Sequence, residues 1–167
     1  LVGPSVNIDL FRPRPRELPE WPQRPVRVAA MIRSGTLHRA PEFTMTVLER
    51  LCRQYSGSVE AWLFGVTVDD PYFATIPNNF AWKLAGVLNQ QQVATFFNQV
   101  DIFVDFSSHQ AMGLTAMEAM ACGCAVIVPQ QGGAVEFARH EENALVVDTS
   151  SESACLEALC RAVDDYR

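Results

Sequence analysis

The sequence predicts an α/β fold: one domain with a sheet of about six parallel strands and helices on both faces. Three observations carry this expectation. From Val26 onward, short apolar runs rich in β-branched residues alternate with amphipathic segments about six times. Strands met singly between helices imply parallel pairing through right-handed crossovers. A chain of 167 residues is long enough for one domain with a real core.

The elements follow in order. VRVAAMI (26–32) is a buried strand. PEFTMTVLERLCRQY (41–55) opens with proline, which suits a first helical turn, and Val47, Leu48, Leu51 and Tyr55 fall on one helical face. SVEAWLFG (58–65) is a strand ending in glycine, and FAWKLAG (80–86) is a shorter one. NQQQVATFFNQV (89–100) is a helix with Asn89 as its N-cap and Val93, Phe96, Phe97 and Val100 as its apolar side. DIFVDF (101–106) is a strand, followed by a helix near 113–121 that Gly123 closes. AVIVP (125–129) is a strand, AVEFARH (134–140) a short helix and NALVVD (143–148) a strand. SESACLEALCRAVDDY (151–166) ends the chain as an amphipathic helix with a serine cap.

Residues 1–25 differ in kind. FRPRPRELPEWPQRP is rich in Pro and Arg and has no apolar period, so it is expected to be an extended linker with solvated arginines. The domain proper is then 26–167. The chain begins at Leu1 rather than Met, which points to a piece of something longer.

Composition excludes several classes. A net charge of −6 does not suit a duplex-binding protein, so nucleic acid is not an expected partner. No apolar run approaches the roughly 18 residues of a membrane span, and no signal peptide is visible. The five cysteines fit no disulfide scaffold or zinc spacing and are read as reduced structural thiols in a cytoplasmic protein. The histidines are scattered, and no metal is expected.

In an open parallel sheet, ligands bind beyond the carboxyl ends of the strands. Three strand-to-helix loops there are informative. IRSGTLHRAP (32–41) holds Arg33 and Arg39, two guanidiniums suited either to a phosphate or to solvent. FSSHQAMGLTAMEAM (106–120) opens a helix at Gly113, Leu114 and Thr115, where free amides and the helix dipole favour an anion. The GxGxxG fingerprint of dinucleotide sites is absent. PQQGGAVEF (129–137) carries Gly132-Gly133, which either faces the same cleft or is a flexible turn. Glu118 stands in the second turn of a helix with little polar surface. An unpaired buried carboxylate is costly, so Glu118 is either a structural acid, ion-paired or at the surface on the helix's outer side, or an acceptor for ligand hydroxyls.

SSHQAMGLTAMEAMACGCAVIVPQQGGAVEFARHEENALVV (107–147) resembles the donor-binding motif of family 4 glycosyltransferases with the GT-B fold. That pattern reads E-G-F-G-L, three variable residues, E-A-M-A-x-G-x-P-V-V, a G-G pair and G-x-N-G-L-L-V. GPSVNIDLFRP (3–13) resembles the family's hinge, and IRSGTLHRAP resembles its G-R-x-x-x-x-K-G segment, with Arg33 and Arg39 at the basic positions.

The resemblance implies a Rossmann-like C-terminal half of a two-domain enzyme that transfers a sugar from a nucleotide-diphospho-sugar, with retention and without a metal or other cofactor. Arg33, Arg39 and the amides of Gly113, Leu114 and Thr115 would hold the diphosphate, and Glu118 the ribose hydroxyls. Gln110 stands where the family's first glutamate contacts the donor sugar. The base would lie near Lys83 and Leu84. A glycan or lipid-linked acceptor would be bound through an N-terminal domain missing here. The full protein would work in the cytoplasm or at the inner membrane face, in glycan or polysaccharide biosynthesis. The fragment alone would bind donor weakly or not at all and would not turn over. Gln110 in place of Glu, Arg39 in place of Lys, and Ala111-Met112 in place of Gly-Phe depart from the pattern. The first of these leaves open an alternative, a non-catalytic domain that kept the fold.

Overall fold

The computed structural model describes residues 5–15 and 22–167. Six parallel strands form one sheet: β1 (Val26–Met31), β2 (Val59–Phe64), β3 (Trp82–Leu84), β4 (Ile102–Val104), β5 (Ala125–Pro129) and β6 (Leu145–Val147). Their order is β3-β2-β1-β4-β5-β6, so the chain reverses direction across the sheet between β1 and β4. Four helices accompany them: α1 (Pro41–Gln54), α2 (Gln90–Phe97), α3 (Leu114–Ala121) and α4 (Glu152–Tyr166).

Strand residues alternate between two apolar cores. Val26, Val28, Ala30, Ile102, Val104 and Ile127 pack with Met45, Leu48 and Leu51 of α1 and Leu159 and Val163 of α4. Ala29, Phe64, Phe103, Val126 and Val128 face the other way, onto Phe96 and Phe97 of α2 and Ala116 and Ala119 of α3. Because α3 meets the sheet through alanines, its axis lies close over β4 and β5. That fixes its N-terminus at the carboxyl edge of the sheet.

Local signals end the helices as expected. Pro41 is the first residue of α1. Asn89 caps α2 in a reciprocal capping box with Gln92, and the Ser151 hydroxyl caps α4 at Ala154. The helix expected at 134–140 is instead a 3-10 turn over Gly133–Glu136. It stops there because the chain is recaptured: the Arg139 amide donates to the Asn143 side chain, and Asn143 donates back to the Phe137 carbonyl.

The described part of the N-terminal segment is docked on the domain. Phe11 is buried against the α2–α3 layer. Asn98 holds the backbone on both sides of Pro13, accepting from the Arg14 amide at 2.7 Å and donating to the Arg12 carbonyl at 3.1 Å. Arg24 is not solvated: it is buried and donates to both oxygens of Asp101, at 2.6 and 2.8 Å, while the Tyr166 hydroxyl donates to the same carboxylate. The remainder of the expected hinge, 1–4 and 16–21, lies outside the described residues.

Among the described residues, no helix is long and apolar enough to cross a membrane. No group of three His, Cys, Asp or Glu side chains is placed there to ligate a metal.

Candidate functional site

The strand-to-helix loops meet at the carboxyl edge of the sheet, beside the β1–β4 reversal. They are joined to one another by backbone bonds. The Ser108 amide donates to the His38 carbonyl at 2.9 Å, linking the β4–α3 loop to the β1–α1 loop. The Gly133 amide donates to the Gln110 carbonyl at 2.7 Å, linking the β5 loop to the β4–α3 loop. Gly132-Gly133 is therefore a packed contact and not a flexible turn. A Cβ on Gly132 would lie 2.4 Å from the Gln110 carbonyl oxygen, and one on Gly133 would lie 2.2 Å from that of Ala111.

Three spaces lie along this edge. The first, about 430 Å³, lies at the ends of β1, β2 and β3 and is lined by Met31, Arg33, Ser34, Asp70, Val87 and Leu88. Arg33 is exposed there, and no carboxylate among the described residues lies within ion-pair distance of it. The Ser34 hydroxyl beside it and the Phe73 amide, which donates to it at 2.9 Å, hold the Asp70 carboxyl below its ordinary range, although among the described residues Ser34 Oγ makes no well-formed hydrogen bond. Lys83 is turned away from this space and pairs with Glu60 at 2.9 Å. It is Val87 and Leu88, beyond β3, that wall it.

The second space is a recess of about 10 Å³, room for one water, between Met31, Arg39, Asp105, Ser107 and Thr115. Arg39 is half-buried, and its Nη1 lies 3.7 Å from the Asp105 carboxylate. Its inner edge is thus already occupied, which differs from a guanidinium left open on every side to phosphate. The third space, about 740 Å³, is lined by His109, Gln110, Met112, Met117, Glu136 and Phe137 among others.

Helix α3 lines the second and third of these spaces, through Thr115 and Met117. Gly113 is its N-cap, with a left-handed backbone at φ 69° that any other residue would enter under strain. The Leu114 and Thr115 amides have no acceptor inside the helix. Leu114 is exposed and Thr115 half-buried at the recess. Glu118 follows one turn beyond Thr115 on the same helical face. It is half-buried, and burial pushes its carboxyl above the ordinary range. Among the described residues it has no hydrogen-bond or ion-pair partner.

Gln110 lines the third space but is itself buried, and its Nε2 donates to Asp105. The structure therefore brings Arg39, Gln110, Gly113 and Thr115 together around one loop, with Arg33 on the adjoining cavity and Glu118 one turn further along α3. Asp105 is the member that sequence reasoning passed over. It breaks the apolar run IFVDF as Glu118 breaks an apolar helix, and the same question put to it would have marked it.

Residues 30–165 match the family described as glycosyl transferases group 1. The D-inositol 3-phosphate glycosyltransferase of Pseudarthrobacter chlorophenolicus is 26% identical over 166 residues, covering 98% of this chain. The chain spans only 36% of that relative's length. Among solved structures, the C-terminal domain of a glycosyl transferase group 1 family protein from Francisella tularensis superposes with a TM-score of 0.76 at 21% identity, covering 96% of this chain and 89% of that one. Anabaena HepE, solved in complex with UDP and glucose, superposes with a TM-score of 0.75 at 16% identity, covering 96% of this chain and 46% of that one. The fold is that of GT-B C-terminal domains.

Proposed function

The chain belongs to the glycosyl transferases group 1 family, and we propose that it is the donor-binding C-terminal half of a family 4 enzyme that transfers a sugar from a nucleotide-diphospho-sugar with retention. The observation that carries this reading is Glu118, a half-buried carboxylate with no partner among the described residues, set on the helix whose free amides open beside Arg39. Its lone pairs suit the vicinal hydroxyls of a ribose.

The 430 Å³ cavity is of a size to take a nucleoside, with Val87 and Leu88 against the base. The diphosphate would lie between Arg33, the outer edge of Arg39 and the amides of Leu114 and Thr115. As the bond from anomeric carbon to phosphate oxygen breaks, charge accumulates on the departing diphosphate. Fixed donors there stabilise the transition state more than the ground state. The 740 Å³ space beyond Gln110 would receive the sugar. HepE, solved with UDP and glucose, has the same fold, which supports a uridine diphosphate donor.

Five exposed large apolar side chains, Leu37, Val68, Val87, Leu114 and Val135, stand on the segments that leave β1, β2, β3, β4 and β5 at this edge, Leu114 as the first residue of α3. An edge dressed in this way fits a cleft closed by a further domain that binds a glycan or lipid-linked acceptor. Calorimetric titration of the chain with UDP, GDP and dTDP tests the reading. One nucleotide is expected to bind in preference to the others, and Arg33→Ala to weaken it at least about tenfold, the loss of one charge-assisted contact. Equal binding by wild type and Arg33→Ala would remove Arg33 from the site.

A further inference from the structure

We infer that Asp105 is a positioning residue of the donor site, deciding which atom of Gln110 and which edge of Arg39 face the ligand. The inference rests on the nucleotide-sugar reading above. Asp105 follows β4 and is buried. Its Oδ1 accepts from the Ser107 amide at 3.0 Å and from the Ser107 hydroxyl. Its Oδ2 accepts from Gln110 Nε2 and lies 3.7 Å from Arg39 Nη1.

A carboxylate can only accept, so the amide nitrogen of Gln110 must face Asp105 and the carbonyl oxygen is left for the ligand. Gln110 then presents an acceptor to a sugar hydroxyl without bringing a charge of its own. The charge sits five residues earlier, where it also anchors the inner edge of Arg39 and leaves the outer edge for phosphate. Gln110 in place of glutamate is explained on the same grounds. A second carboxylate against Asp105 could be accommodated only by sharing a proton.

The surroundings are otherwise nearly neutral. Arg39, from the β1–α1 loop, is the charged side chain within ion-pair distance of Asp105 among the described residues. Met31, Thr44, Phe103 and Thr115 complete the wall. On the side of Gln110 that faces the larger space, the titratable neighbours are His109 and Glu136. Glu118 stands further along α3.

The test compares wild type, Gln110→Glu, Asp105→Asn and the double variant by thermal melting across about pH 5 to 9, and by titration with UDP, GDP and dTDP. Relative to wild type, Gln110→Glu should melt normally at the acid end, where the pair holds a proton, and progressively lower as pH rises. The double variant should lose this pH dependence and recover the nucleotide affinity that Gln110→Glu loses, at least about tenfold at the alkaline end. A deficit in Gln110→Glu that is constant with pH, or one that Asp105→Asn fails to relieve, overturns the inference. If wild type binds none of the three nucleotides, this chain by itself does not hold the donor, while the melting comparison still decides the Asp105–Gln110 pairing. Should a variant not fold, the wild-type Gln110 side-chain amide is read by ¹⁵N NMR. Slowly exchanging protons support the pairing, and free-amide exchange refutes it.

Discussion

Replacing Gly133 by alanine would test whether the third loop is built by backbone contact. Gly133 does not have a left-handed backbone, so the change adds little conformational strain. Its new Cβ would sit 2.2 Å from the Ala111 carbonyl oxygen and 2.5 Å from Met112 Cα, whereas ordinary contact begins at 3.4 Å. The opposing atoms are backbone, so no side chain can rotate away, and the two loops must part by about 1.2 Å. That separation breaks the bond from the Gly133 amide to the Gln110 carbonyl, worth roughly 1 kcal/mol. Overpacking adds about 1–3 kcal/mol. The sum, about 2–4 kcal/mol, lowers Tm by roughly 5–15 °C for a domain of this size. Because the same contact seats Gln110 and the start of α3, nucleotide affinity should fall together with Tm. Circular dichroism melts and calorimetric titration read both quantities. A Tm within about 2 °C of wild type would show that the loops are not held as described.

Two further changes separate binding from stability. Glu118→Gln should raise Tm at neutral pH while weakening nucleotide binding by about 10- to 150-fold, the loss of a hydrogen bond to a charged group. The sign follows from burial. The folded carboxyl titrates above its unfolded value, so the domain is more stable below the unfolded value of about 4.3 and loses stability as pH rises through the folded one. The gain in Tm should therefore vanish in acid. A Tm that falls at neutral pH would restore the structural-acid reading. Asp101 behaves oppositely. Burial alone would push its carboxyl up, but the Arg24 guanidinium, the Arg27 amide and the Tyr166 hydroxyl hold it below the ordinary range. Its stabilisation is therefore present above about pH 3.9 and lost as pH falls through the folded value. Asp101→Asn, which strands Arg24, should cost about 3–5 kcal/mol at neutral pH by urea unfolding and flatten the acid limb. An unchanged acid limb would place the pH-sensitive charge elsewhere.

The sequence by itself determined the strands, the four helices, the Pro41 start of α1, the caps at Asn89 and Ser151, and the parallel sheet with two covered faces. These depend on period, propensity and capping, which act between residues a few positions apart. It also placed Arg33, Arg39, Gly113, Thr115 and Glu118 on carboxyl-edge loops or the helix that follows, since connectivity alone sends those segments there. It misjudged the 134–140 segment, where recapture of the chain by Asn143 overrides helical pattern. It also missed the docking of this Pro-rich segment, where Phe11 packs on the α2–α3 layer, Asn98 holds the Arg12–Arg14 backbone and Asp101 is brought to Arg24. Only the tertiary structure set the loops against one another through Ser108 on His38 and Gly133 on Gln110, and only it turned Asp105 onto Gln110 and Arg39. Most of these contacts join residues tens of positions apart. Whether a polar side chain among them is stranded, paired or poised for a guest depends on what the fold places opposite it.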